Sequence, residues 1–332
     1  MIIKPRTIPK KILKLRALLF LLSTIHPKRL SIEGELGRRE GGYRGEQSLD
    51  YYLSFLENEE YYIFQGLRLS IGNGYFYQID TYIATLYFTL ALETKNMSGT
   101  IHYDNPSNPV VRTHPNSDRE PDRFDNPIEQ VKHQARQHKR WLQNAKFPSI
   151  PLEHYVVNTN SKAISKAPPE YHEAHTRVIH ASLLLEKIEA HRKEYTKEIL
   201  QKKDLRKLSN LLIKHHTPEE WDIFHAFDIP KSDIYNGIRC PKCSWTPMKR
   251  VHGRWGCSNN SCDYNSENEH VIYLKYYGLL IGREIKVSEL MAFLKIDCRF
   301  IANRILHKMN FPSVGECKGR VYYIPEEFID DM

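Results

Sequence analysis

The sequence predicts an α/β protein whose sheet lies in the first half of the chain. Three observations carry this. Aromatic- and aliphatic-rich runs alternate with turn residues from Tyr61 to Tyr103. A helix with clear start signals begins at Asn126, and a further strand-like run, Leu152 to Val157, follows it. After that the chain changes character three times. The predicted order is a basic helical segment (1–42), an α/β core (43–158), a helical region (159–236), a cysteine-bearing unit (237–270) and a helix-turn-helix or winged-helix-like unit (271–332).

The first segment carries Lys4, Arg6, Lys10, Lys11, Lys14 and Arg16, and then an apolar run from Ala17 to Ile25. That run falls well short of the roughly 20 residues a membrane span needs. His26-Pro27-Lys28-Arg29 follows it where a secretion signal would have small residues. The segment therefore predicts a short helix packed on the body or on another subunit. It also predicts a cytoplasmic chain with reduced cysteines and no membrane partner.

Gly45 to Leu56 reads as a helix with Leu49, Leu53 and Leu56 on one stripe. Glu46 lies one turn before Leu49, so it points toward the sheet, and the charged residues 57, 59 and 60 come after the stripe. Tyr61 to Leu69 reads as a strand, Gly72-Asn73-Gly74 as a turn, and Tyr75–Ala84 and Phe88–Lys95 as strands, with a short fourth at Gly99–Tyr103. Asn105 to Asp125, rich in Asn, Asp, Pro and Arg, reads as a long exposed loop. Asn126 then caps a helix, with Pro127 at its first position, Glu129 where a capping box wants it, and Ile128, Val131, Ala135 and Leu142 as the buried stripe. From Pro168 to Phe227 the period is helical, with Leu183 to Leu185, Ile188, Leu205, Leu208, Leu211 and Leu212 among many lysines.

The chain has 332 residues, 41% of them hydrophobic and 27% charged, which is ordinary globular composition. Lys and Arg number 48 against 40 Asp and Glu, a net charge of +8. Such a balance fits a basic soluble protein or one with a polyanionic partner, nucleic acid first.

Chemistry concentrates at Gln78-Ile79-Asp80 and Glu93-Thr94-Lys95. A hairpin turning at Leu86-Tyr87 places Asp80 opposite Glu93, with Cβ atoms ~5 Å apart, although Leu-Tyr is poor turn chemistry. Lys95, two residues beyond Glu93, leaves the same face. Two carboxylates so close must share a proton or a cation, and Mg²⁺ with one or two carboxylates and waters suits such a hard-oxygen set. Gln130 and Gln134, four apart on one helix face, either reach this site or form a solvated face. A structural ion pair on a sheet edge is the alternative reading of Asp80, Glu93 and Lys95.

Gly45-Glu46, Gln78-Ile79-Asp80, Glu93-Thr94-Lys95-Asn96 with Gly99, and Asn126-Pro127 with Gln130 together resemble the NERD (nuclease-related) domain, of the PD-(D/E)xK nuclease superfamily, over about Tyr43 to Val157. The resemblance implies a restriction-endonuclease-like core, with a mixed central sheet flanked by helices. It implies Glu46, Asp80 and Glu93 as acids that hold Mg²⁺ or Mn²⁺, Lys95 as the catalytic lysine and Gln130 as an accessory.

Cys240-x-x-Cys243 and Cys257-x4-Cys262 are two knuckles whose four thiolates suit a structural, tetrahedral Zn²⁺. Trp245, Trp255 and Gly256 resemble the aromatic filler of a topoisomerase-type zinc ribbon. His252 and His270 are spare ligands, and Lys242, Lys249, Arg250 and Arg254 are candidate DNA contacts. Cys298 and Cys317 read as packing cysteines. In the tail, Ser288 caps a helix bearing Leu290, Met291, Phe293 and Leu294. Lys295-Ile296-Asp297 turns. A second helix buries Phe300, Ile301, Ile305 and Leu306 and exposes Arg299, Asn303, Arg304 and Lys308, and Lys318 to Ile324 reads as a hairpin strand. A protein-interaction or dimerisation module is an equal reading of this tail.

The leading expectation is a metal-dependent nuclease acting on DNA, with the Arg112–Arg123 stretch and Lys132, Arg136 and Lys139 touching backbone phosphates. A non-catalytic nucleic-acid-binding protein stays open. So does a scaffold, homo-oligomeric or bound to a protein partner in a DNA-processing or phage-defence assembly.

Overall fold

A computed structural model describes residues 1–56, 60–114, 118–234 and 236–330 of the chain. Glu57 and Glu59, and residues 115–117 of the Arg112–Arg123 stretch, lie outside the described residues. The chain parts into two compact units. One holds Met1–Ile8 and Arg38–Glu219, and the other Pro9–Gly37 and Glu220–Met332.

Among the described residues the first unit is built on ten strands: β1 (Ile2–Lys4), β2 (Tyr62–Gly72), β3 (Tyr75–Ala84), β4 (Thr89–Lys95), β5 (Gly99–His102), β6 (Val110–Thr113), β7 (Asp122–Phe124), β8 (Leu152–Asn158), β9 (Ala163–Lys166) and β10 (Val178–His180). Six form a mixed sheet in the order β1-β2-β3-β4-β8-β10. Its middle, β2-β3-β4, is antiparallel, and the flanking pairs β1-β2, β4-β8 and β8-β10 are parallel. This is a mixed α/β fold with helices on both sides of the sheet.

The β2–β3 turn follows its chemistry. Asn73 and Gly74 both take positive φ, +52° and +78°, as a two-residue hairpin loop of primed type demands. The β3–β4 turn does not, and its solution is local. Thr85 Oγ1 accepts from the N–H groups of Tyr87 and Phe88 and donates to the Phe88 carbonyl at 2.7 Å. The Leu86 carbonyl accepts from the N–H groups of Ile199 and Leu200. Leu86-Tyr87 is thus held by a threonine hydroxyl and by a distant segment rather than by turn propensity.

Hydrophobic burial explains the layers. On one side Phe64, Leu67, Leu69, Tyr77, Ile79 and Tyr82 meet Ala135 and Leu142 of the Pro127–Asn144 helix and Leu205, Leu208 and Leu212 of the Lys202–His215 helix. On the other side Ile63, Ile83, Leu90, Leu92 and Tyr155 meet Leu49 and Leu53 of the Arg29–Ser54 helix and Ile188 of the Leu184–Glu194 helix. Tyr77 and Ile79 share a core with Tyr82 and Ala84, so the two-residue alternation slips once between them. The slip falls at Asp80, which lies between the Gln65–Thr81 and Leu67–Ile79 pairs, opposite Gly66 with its φ of +61°.

Several expectations change. The helix predicted from Gly45 begins at Arg29; its four earlier glycines hid it from pattern reading. Asn105 to Asp125 is not only loop, because β6 and β7 pair within it. Gly99–His102 is a strand, but of a separate four-stranded sheet, β7-β6-β5-β9. The helical region contains β10, and Leu183 is exposed at 43%. Glu129 accepts from Lys132, at 2.9 Å.

In the second unit the Lys10–Leu21 helix buries Ile12, Leu13, Leu15, Ala17, Leu18 and Leu21 and packs against the Glu269–Leu280 helix. Lys249–Val251, Arg254–Gly256 and Asn265–Ser266 form a three-stranded sheet beside the cysteines. The tail has helices Val287–Leu294 and Arg299–Lys308, and Glu284–Lys286, Ser313–Val314 and Val321–Tyr323 form a small sheet. Ser288 is not the cap: Lys286 is, its N–H donating to the Glu289 carboxylate, so the helix starts two residues earlier, at Val287. Phe300, predicted buried, is exposed at 83%, and Ala302 joins Ile305 and Leu306 in the core instead. Arg299, Arg304 and Lys308 are exposed. Cys298 and Cys317 are exposed as well, so they are not packing cysteines. Among the described residues no helix is long and apolar enough to cross a membrane.

Candidate functional site

Four elements of the first unit bring the acids, the lysine and two glutamines together. Glu46 comes from the Arg29–Ser54 helix, and Gly45 is what lets that helix approach. A Cβ on Gly45 would lie 2.4 Å from Asn96 Cβ and 3.1 Å from Thr159 Oγ1. Asn96 Nδ2 in turn donates to the Gly41 carbonyl at 3.0 Å. The pairing of Gly45-Glu46 with Asn96 thus has a steric reason: the helix touches the residue that follows β4.

The β3–β4 register pairs Thr81 with Leu92, so Asp80 and Glu93 are the next residues along, as the predicted hairpin requires. Asp80 Oδ2 accepts from the Thr94 N–H at 2.8 Å. Glu93 is buried, with Oε1 bonded to Lys95 Nζ at 2.6 Å and Oε2 to Gln134 Nε2 at 2.9 Å. Lys95 Nζ also donates to Gln130 Oε1 at 3.1 Å. β4 lies between β3 and β8, so the group stands at the end of an interior strand and not on a sheet edge. Glu46 Oε2 pairs with Arg6 Nη1 at 2.5 Å.

Electrostatics marks the spot. Burial raises the Asp80 carboxyl well above its ordinary range, and the charges of Glu93 and Glu46 push it further. Burial also raises Glu46, with Glu93 adding to it, although Arg6 pulls the other way. For Lys95 burial works downward, but the Glu93 charge and hydrogen bond prevail and raise it. Among the described residues, Glu46 Oε1 and Asp80 Oδ1 make no hydrogen bond. Carboxylate oxygens of this kind are the hard donors that Mg²⁺ or Mn²⁺ takes.

The sequence between residues 41 and 159 matches the family model of the nuclease-related domain. This segment is a nuclease-related domain. No curated protein and no solved structure matches the chain.

The nuclease-related domain supplies Glu46, Asp80, Glu93, Lys95 and Gln130. It also supplies Gln134, which sequence reading left between a site and a solvated face. Gln134 is buried, and among the described residues its Oε1 has no hydrogen-bond partner. Its signal was its place four residues after Gln130, on the apolar side of the helix. Of the basic residues expected at phosphates, Lys132 is tied to Glu129 and Glu173 at 2.9 and 2.8 Å, whereas Arg136 and Lys139 are exposed. Arg112 pairs with Asp122 at 2.6 Å.

In the second unit, Cys240, Cys243, Cys257 and Cys262 have sulfurs within 4.8 Å of one another. Among the described residues they are the one set in which three or more ligand atoms come that close, and they could hold a zinc ion. Glu46, Asp80 and Glu93 do not come that close. The Trp245 N–H draws the Cys243 thiol down to about 7, whereas burial pushes its neighbour Cys257 up to about 12. Trp255 fills the interior and donates to His270 Nδ1 at 3.1 Å, so His270 is engaged elsewhere. Trp245, expected as filler, is exposed at 53%, and His252 lies in the hairpin turn with a φ of +48°. Lys242 pairs with Asp263, and Arg254 with Glu267.

Proposed function

We propose that the chain is a metal-dependent nuclease that hydrolyses phosphodiester bonds of DNA. The observation that carries this reading is Lys95, whose ammonium bridges Glu93 and Gln130 beside two further carboxylates raised by burial and mutual repulsion. Glu46, Asp80 and Glu93 would hold Mg²⁺ or Mn²⁺. Such an ion polarises the phosphate and makes water a stronger nucleophile.

The remaining chemistry belongs to the side chains. A raised Lys95 stays protonated at neutral pH, so it serves as a fixed cation and not as a general base. It donates toward the attacking water or a phosphate oxygen and offsets charge developing there. Gln130 keeps the ammonium aimed, and Gln134 fixes the second oxygen of Glu93. The four cysteines would hold structural zinc, and the tail and the exposed Arg136 and Lys139 would meet the phosphate backbone.

The test incubates the full chain with linear and circular DNA in Mg²⁺, Mn²⁺ or EDTA. Cleavage should require the metal, and Lys95→Ala should lower it by about 10²-fold or more, the scale of losing one preorganised donor. Equal behaviour of wild type and variant under every condition would sink the assignment.

A further inference from the structure

Arg6 lies outside the nuclease-related domain, just after β1, yet its guanidinium reaches the acids. Its side chain is 5% exposed. Nη1 donates to Glu46 Oε2 at 2.5 Å, and Nη2 lies 3.4 Å from Asp50 Oδ1. The arginine is anchored at both ends. Its backbone N–H donates to Gln65 Oε1 at 2.7 Å, and Gln65 Nε2 donates to the same Asp50 oxygen at 2.6 Å. Gln65 is itself buried. Parallel pairing of β1 with β2, Ile2 to Ile63 and Lys4 to Phe64, delivers Arg6 to this place.

A buried guanidinium is costly unless it is paired, and two carboxylates pair it here. The bond takes one oxygen of Glu46 and leaves Oε1 uncommitted. It also sets a positive charge beside an acid that feels the charge of Glu93. We propose that Arg6 is a positioning residue of the candidate metal site: clamped by Gln65 and Asp50, it holds Glu46 turned to Asp80 and Glu93 with one oxygen free for the ion. This rests on the metal-dependent reading above.

The sign of its effect separates positioning from charge. Removing a cation strengthens binding of a second cation by Coulomb's law alone. Positioning predicts the opposite. Mn²⁺ is titrated into the zinc-loaded full chain by calorimetry, with wild type, Arg6→Gln, Arg6→Lys, Glu46→Gln and Arg6→Gln/Glu46→Gln compared, and Lys4→Gln as a control on the same strand. Thermal unfolding reports folding of each.

Lys4→Gln, which removes a neighbouring charge but leaves the Arg6 fork in place, should bind at least as tightly as wild type. Arg6→Gln should bind about tenfold more weakly, and the double variant no more weakly than Glu46→Gln, because Arg6 acts through Glu46. Arg6→Lys, which keeps the charge but not the fork, should also weaken binding, and it carries the test if Arg6→Gln does not fold. Unchanged or tighter binding by the Arg6 variants, or additive losses, overturns the proposal and leaves the metal site standing. Failure of wild type to bind Mn²⁺ overturns the metal-dependent reading itself.

Discussion

At the scale of single residues, Asp80 is the group that most opposes its own environment. Its carboxyl is raised above the unfolded value, so the fold prefers it protonated. The sign follows from linkage. The folded-state preference is fully present below the unfolded value near 3.9 and is lost as pH rises through the folded value. Asp80→Asn should therefore be more stable than wild type at pH 7 to 8. Chemical denaturation should show that difference vanish below about pH 4. The variant should also lose metal-dependent cleavage, a trade expected where charges crowd for function. A wild type that is the more stable at pH 8 would mean the acids are settled ion pairs. Asp80, Glu93 and Lys95 were legible from spacing because a two-residue period and one register suffice to bring them together. Gln134 was only half legible, since an amide on an apolar face carries no partner's name. Glu93 is that partner, and it lies 41 positions away.

At the scale of elements, the approach of the Arg29–Ser54 helix to the end of β4 is the close contact that builds the site. Gly45→Ala places a methyl group 2.4 Å from Asn96 Cβ, so the helix must shift or Asn96 must give. Overpacking of this kind costs about 1–3 kcal/mol. Gly45→Ala should lower stability by that amount in denaturant titration and weaken Mn²⁺ binding, although glycine-to-alanine elsewhere in that helix, at Gly34 for example, should stabilise it. The same helix shows where pattern reading stops. Its apolar stripe was visible from Leu49 onward, but Gly34, Gly37, Gly41 and Gly42 ahead of it carry little helix propensity. The Leu86-Tyr87 turn makes the same point in reverse. Its register was readable from the flanking strands, but its stability depends on the Thr85 hydroxyl and on the N–H groups of Ile199 and Leu200, more than a hundred residues on.

At the scale of the whole molecule, the second unit should contain about one zinc per chain by elemental analysis. Chelation or Cys257→Ser should lower the unfolding temperature of that unit, because binding of structural zinc is worth on the order of 10 kcal/mol in small domains. No zinc in a chain with an intact fold would refute the cysteine assignment. The central sheet has a consequence of another kind. The segment that matches the nuclease-related domain contains β2, β3, β4 and β8, while β1 and β10, the strands at the two borders of the sheet, lie before and after it. Excising residues 41–159 would strip both, leaving β2 and β8 with rows of unpaired N–H and C=O groups, the usual template for aggregation. The stretch recognisable by descent is therefore smaller than the stretch that can stand alone in water. An intact sheet needs β1 and β10 as well as the strands of the matched segment.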